Sequence, residues 1–167
     1  DYALGKEGSR FFNGIKFYNE TNTVKKFEPS YGGFSINLKG KYQYYHDNPG
    51  AIGLVEDLVS KDGQQILGLQ HAVYNDFNYL EEDTFELRQL TSEVVKGYDY
   101  KLNGSFGYAA FQGYPSVRFQ AKNTKGQRLD GRVVIKGVHY YLLYQVSNTI
   151  TPADYTAFDS FKLTDFS

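Results

Sequence analysis

Apolar and polar residues alternate along the last third of the chain, and this alternation predicts strands. Two such runs cover residues 116–122 and 131–136, and a third covers residues 138–147. The third run carries tyrosine and leucine side chains at both odd and even positions, so both of its faces are apolar. Apolar character on both faces is typical of a strand inside a sheet. We therefore predict that residues 138–147 form a central strand.

A hairpin is predicted before the middle of the chain. Two strand-like runs, residues 52–60 and 64–74, are separated by Lys61-Asp62-Gly63, and Asp-Gly is a frequent pair in tight turns. The more apolar side of the second run carries Leu67, Leu69, His71 and Val73. We expect that side to face the core. A similar alternation over residues 34–38 predicts a half-buried strand.

Residues 83–96 have the pattern of an amphipathic helix. Asp83 and Glu86 have the spacing of a capping box, and Gly97 is suited to a position just past the helix end. Apolar residues follow the start at helical spacing. A second, short helix is predicted to begin near Thr151-Pro152, because proline is favoured in the first helical turn. Residues 161–166 are then predicted to close the chain as a strand.

Two segments lack a clear periodic pattern. Residues 1–23 are rich in glycine, asparagine and threonine, so we predict an irregular lead-in or connector, followed by a single domain over residues 24–167. Residues 40–50 include Asn48-Pro49-Gly50 and are predicted to form a loop. Because the chain begins at Asp1, we expect it to be a domain of a larger protein, which we take to be bacterial.

Composition excludes several classes of protein. The 167 residues carry a net charge of −1, whereas nucleic-acid-binding domains usually carry a basic excess. The sequence contains no run of 18 apolar residues, so no membrane-spanning helix is predicted. It contains no cysteine, which excludes disulfides and thiol nucleophiles. Without a visible signal peptide, the cytoplasm and an exported location both remain open.

Several short motifs together resemble the PsbP/Mog1 superfamily. They are the segment GYPSVRF from residue 113, a strand pair that turns at Lys136-Gly137, and the ending FDSFKL from residue 158. Upstream, GFSINL from residue 33 is similar to a strand of that family, although Lys39 stands where proline is usual. Ser116 also replaces a glycine that is common there. The resemblance covers residues 31–165.

The resemblance implies an α+β fold in which helices flank an antiparallel β-sheet, an α/β/α sandwich. It implies no enzyme activity and no cofactor. The superfamily includes photosystem-associated subunits, a Ran-binding nuclear import factor and bacterial proteins of unknown role. We therefore expect a non-enzymatic binding or assembly module. We expect its partner to be a protein or another domain of the same parent chain. The fold alone does not define the ligand.

The candidate binding surface is the tyrosine-rich part of the predicted loop. Exposed aromatic side chains on loops are a recurring means of recognition. The candidate residues are Tyr42, Tyr44, Tyr45, His46 and Asp47. A structural alternative is that these tyrosines cover the edge of a sheet.

Two further functions remain open at this point. His71 and His139 both lie on predicted strands, and they could meet beside Asp57 or Glu56 in a hydrolase-type site. The high content of tyrosine, 16 residues, also fits a carbohydrate-binding module. No histidine has the sequence spacing of a metal site, so we predict no metal.

Overall fold

A computed structural model describes most of the chain. The described residues are 23–47, 55–73, 83–97, 99–104, 106–148, 150 and 152–166. The predicted lead-in, apart from residue 23, lies outside them, and so does the Asn48-Pro49-Gly50 turn.

The principal element is an eight-stranded antiparallel sheet. Its strands are β3 (Lys41–Asp47), β4 (Val55–Asp62), β5 (Gln65–Val73), β6 (Lys101–Leu102), β7 (Gly107–Phe111), β8 (Tyr114–Lys122), β9 (Gln127–Lys136) and β10 (His139–Asn148). The strand order is β3-β4-β5-β10-β9-β8-β6, with β7 paired to β8. The predicted central strand is confirmed, because β10 lies between β5 and β9.

A second sheet and two short helices complete the described fold. The sheet consists of β1 (Lys25–Phe27), β2 (Gly32–Leu38) and β11 (Lys162–Phe166), in the order β1-β2-β11. The helices are α1 (Asp83–Gly97) and α2 (Thr156–Asp159). No helix in this part of the chain is long and apolar enough to cross a membrane.

The large sheet has a hydrophobic core on each face. Helix α1 covers one face, where Leu87 and Val94 belong to the same buried cluster as Val117. The small sheet and α2 cover the other face, where Phe34 and Phe158 belong to a second cluster. The expected α+β class with an antiparallel sheet is confirmed. On the second face, the described cover is three short strands with a single helical turn.

Local predictions were correct at the hairpin and wrong at two other places. Strands β4 and β5 turn at Gly63, whose φ of +59° is in the region that favours glycine. The predicted loop is instead strand β3 over Lys41–Asp47, because these residues pair with β4 along its whole length. The second helix begins at Thr156 rather than near Pro152. Two hydrogen bonds join the side-chain amide of Gln65 to the backbone of Asp154. They hold the segment before Thr156 outside the helix.

Candidate functional site

A row of polar side chains crosses the buried face of the large sheet. Glu56 on β4 pairs with His71 on β5, and His71 pairs with Tyr141 on β10. Directly paired residues point to the same face of a sheet. All three side chains therefore lie between the large sheet and the small one, where Glu56 is 1% exposed and His71 is 0% exposed.

The Glu56 carboxylate accepts hydrogen bonds from three side chains. One oxygen contacts His71 Nδ1. The other accepts hydrogen bonds from the hydroxyls of Tyr31 and Tyr44, which lie 3.0 Å from each other. A buried carboxylate is stable only when its lone pairs are satisfied in this way. The three donors thus make the buried charge of Glu56 tolerable.

The contact with Glu56 orients the His71 ring. Nδ1 is the donor to the carboxylate, so neutral His71 has an acceptor at Nε2. His139 Nδ1 lies 3.0 Å from this Nε2. The ring of His71 is also stacked on Tyr141, with centroids 4.3 Å apart and planes 4° from parallel. Glu56, His71 and His139 therefore form a continuous hydrogen-bonded chain that ends at His139 Nε2.

The small sheet covers the His139 end of this hydrogen-bonded chain. The Phe166 ring on β11 stacks on His139 with centroids 4.3 Å apart. A Cβ atom at Gly33 would lie 2.5 Å from Phe166 Cε1, so glycine is required there for the ring to approach. The Gly33 carbonyl in turn accepts a hydrogen bond of 3.3 Å from the Tyr141 hydroxyl. Strands β2 and β11 are thus fastened directly over the histidine pair.

Burial and hydrogen bonds shift the pKa values of this cluster. Burial alone would raise the pKa of Glu56, but the hydrogen bonds from His71, Tyr31 and Tyr44 outweigh it and lower the pKa below its usual range. Burial first, and then the neighbouring His71 and Lys136, lower the pKa of His139 to about 4. Burial and the Glu56 contact raise the pKa of Tyr44 to about 12. The tyrosines therefore remain protonated donors and His139 is neutral at pH 7.

The structure brings together part of the predicted hydrolase-type site. His71 and His139 meet, and the carboxylate beside them is Glu56. Asp57 points to the opposite face, because side chains alternate along β4. Tyr31, Tyr141 and Phe166 belong to the same cluster but had no recognisable motif in the sequence. Among the residues described, no group of three or more histidine, aspartate or glutamate side chains could hold a metal ion.

The five candidate binding residues are divided between the two faces of β3. Tyr42 and Tyr44 contact Phe27 of the small sheet, with ring centroids 5.7 and 4.9 Å apart. His46 is on the same face, 5.5 Å from the Tyr31 ring. Tyr45 and Asp47 are on the other face, where the Tyr45 hydroxyl lies 3.1 Å from an Asp47 carboxylate oxygen. Tyr42 and Tyr45 remain 41% and 49% exposed, whereas Tyr44 belongs to the buried cluster.

Comparison with solved structures identifies the fold. No protein-family profile matches the sequence, and no curated protein matches it. The solution structure of cyanobacterial PsbP (CyanoP) from Synechocystis sp. PCC 6803 superposes with a TM-score of 0.58 at 8% identity. The match covers 90% of this chain and 98% of that one. A protein of unknown function from Pseudomonas aeruginosa matches with a TM-score of 0.38 at 6% identity, over 76% of this chain and 84% of that one. The second value is too low to support an argument, and the first shows that this chain has a PsbP-like fold.

Proposed function

We propose that this protein is a non-enzymatic binding or assembly module. The observation that carries the proposal is that the buried polar cluster is closed. Protein side chains engage both oxygens of Glu56 and both ring nitrogens of His71. Glu56 and His71 are thus used internally, which stabilises the fold and leaves neither of them for a substrate.

The outer end of the cluster is also poorly suited to acid–base catalysis. His139 Nε2 is the one ring nitrogen of the two histidines that these hydrogen bonds do not use. A general base works best when its pKa lies near the working pH. The pKa of His139 is lowered to about 4, which makes it a weak base at pH 7. This favours a structural role for the histidine pair.

The binding surface that we propose is the outer edge of the large sheet, strand β3. Tyr42 and Tyr45 are exposed there, with His46 and Asp47 beside them. Tyrosine is well suited to a contact surface because it offers a large rigid area and one polar group. Tyr44 would support this surface from inside through Glu56 rather than contact a partner.

The wider context is part of the same proposal. We infer that residues 24–167 form one PsbP/Mog1-like domain with helices on both sides of the sheet, that residues 1–23 connect it to a neighbour, and that the parent protein is bacterial. The described strands support a single domain, because β1 near residue 25 and β11 near residue 166 both pair with β2.

A hydrolase is the second candidate, and one observation favours it: His71 Nε2 lies 3.0 Å from His139 Nδ1 beside a carboxylate. Such a chain is able to relay a proton. The hydrolase would need His139 Nε2 to reach a substrate or a nucleophile.

The two functions are separated by a turnover assay on the wild type and a His139→Gln variant. The substrates are the chromogenic compounds nitrophenyl acetate, nitrophenyl phosphate and nitrophenyl glycosides at pH 7. We expect the same background rate from both proteins. Turnover that disappears in His139→Gln, while the melting temperature is unchanged, would show that the protein is an enzyme.

A further inference from the structure

A second surface of the large sheet is strongly basic. Cationic side chains are paired directly across neighbouring strands: Lys101 with Lys122, Lys122 with Arg128, and Arg118 with Arg132. Paired residues share a face, so these five side chains form one surface, which we call the basic face. Like charges in directly opposite positions destabilise a sheet. Three such pairs on strands β6, β8 and β9 therefore suggest a function other than stability.

Few carboxylates compensate this charge. Asp130 is a buried carboxylate on the same side of β9 as Arg128 and Arg132. It binds Arg128 at 3.0 Å and also accepts hydrogen bonds from Tyr155 and Gln120. None of the other four cations has a carboxylate within 4 Å among the residues that the structure describes. The pKa of Arg132 is lowered, first by burial and then by the charge of Arg118, with a smaller opposing effect of Asp159. Positive charge is therefore concentrated here although the whole chain has a net charge of −1.

Aromatic rings hold the arginines in place. The Arg132 guanidinium lies 4.3 Å from the centroid of Phe111, and that of Arg118 lies 5.3 Å from the centroid of Phe158. A guanidinium that stacks on a ring keeps the N–H groups at its edge available for carboxylate oxygens. Because the rings restrict the side chains before binding, less entropy is lost when an anion binds.

The basic face is open to solvent along β8. Arg118, Gln120 and Lys122 are exposed and alternate with buried residues along β8. Beside the row is a surface depression of about 300 Å³. Its lining includes Lys101 and Lys122 together with one carboxylate, that of Asp99. This end of the sheet thus combines charge, exposure and a concave surface.

We propose that the basic face binds an acidic, extended segment of a partner protein. The pairs Arg118–Arg132 and Lys122–Arg128 are four residues apart along β8, which corresponds to about 13 Å at roughly 3.3 Å per residue. Carboxylates at positions i and i+4 of an extended peptide have the same separation and point to the same side. Gln120 lies between the two pairs, where its amide nitrogen donates a hydrogen bond of 2.6 Å to Asp130.

A nucleic acid fits this surface less well. The basic face spans about 13 Å along the strand, which is four residues at roughly 3.3 Å each and short for a duplex site. A short segment with a few carboxylates matches both the size and the number of cations.

The proposal rests on the binding-module function and is tested by fluorescence anisotropy with a labelled peptide of alternating threonine and glutamate. The control peptide has glutamine in place of glutamate. The variant Arg118→Gln/Lys122→Gln removes one exposed cation from each pair, and Lys25→Gln removes an exposed lysine on β1 as a matched control. We expect the double variant to weaken glutamate-peptide binding about tenfold, since each charged contact contributes about threefold. We expect Lys25→Gln to bind as the wild type does.

Three results would overturn the proposal: equal binding of the glutamate and glutamine peptides, equal affinity of the double variant and the wild type, or tighter binding of a single-stranded oligonucleotide of the same charge. None of these results would restore an enzymatic function, which only the turnover assay addresses. Failure of this proposal and failure of the module function are therefore distinguishable.

Discussion

Replacing Glu56 by glutamine tests the buried cluster with the smallest change of shape. Glutamine keeps one carbonyl oxygen but introduces an NH₂ group, which must face either His71 or the two tyrosine hydroxyls. The carboxylate accepts from three donors, and glutamine cannot satisfy all three. The amide therefore either leaves a donor without a partner or forces His71 into its other tautomer, and in both cases the charge-assisted hydrogen bonds to the carboxylate are lost.

The expected loss follows from these contacts. A hydrogen bond to a charged group contributes about 1.5–3 kcal/mol, and breaking a buried charged pair costs about 3–5 kcal/mol. We therefore expect Glu56→Gln to lower the free energy of unfolding by about 3 kcal/mol at pH 7. A domain of this size has about 5–15 kcal/mol in total, so the variant should still fold.

The assay is urea denaturation at pH 7, followed by tyrosine fluorescence and circular dichroism because the chain contains no tryptophan. Glu93→Gln is the matched control, since Glu93 is exposed and accepts a single hydrogen bond, from Gln89. The control should change stability by less than about 0.5 kcal/mol. If Glu56→Gln costs no more than Glu93→Gln, the cluster does not stabilise the fold and its proposed structural role is wrong.

Gly68→Ala would place a Cβ 2.0 Å from Tyr144 Cζ, so we expect a loss of about 1–3 kcal/mol in urea melts, whereas Gly107→Ala, with its nearest neighbour at 3.4 Å, should be nearly neutral. Folding lowers the pKa of His139 to about 4, so between pH 6.5 and 4 the unfolded chain binds more protons than the folded chain. Wild-type stability should therefore decrease as the pH is lowered from 6.5 to 4, and His139→Gln should show a smaller decrease. An unchanged pH profile in the variant would contradict the shift. Tyr44→Phe should cost about 1–2 kcal/mol because it removes a donor to Glu56, while Tyr45→Phe should cost less than about 0.5 kcal/mol; equal effects would mean that the two hydroxyls are equivalent.

Part of the buried polar cluster could be predicted from the sequence. The Asp62-Gly63 turn fixes the register of β4 against β5, and counting six residues outward from Asp62 and from Gln65 reaches Glu56 and His71. The alternation of β5 also places His71 on the apolar side with Leu69. The carboxylate opposite the histidine was therefore predictable once the hairpin had been recognised, and it is Glu56 rather than Asp57.

The remaining partners could not be predicted, because they come from another layer of the fold. Tyr31 precedes β2 and Phe166 ends β11, and both reach the cluster only because the small sheet packs over the large one. The sequence predicts a loop in place of strand β3 because turn-like residues on both sides obscure its pairing with β4. The basic face has no motif either, since its residues are brought together across strands and not along them.

The central claim is that protein side chains engage the buried His71 ring on both nitrogens. Nitrogen-15 NMR of the histidine rings at pH 7 tests it most directly. We predict that the proton on His71 Nδ1 is held in the contact with Glu56 and is detectable because it exchanges slowly with water. Rapid exchange at both nitrogens, with the averaged tautomers of a solvated imidazole, would contradict the claim and reopen the histidine pair as a site for substrates.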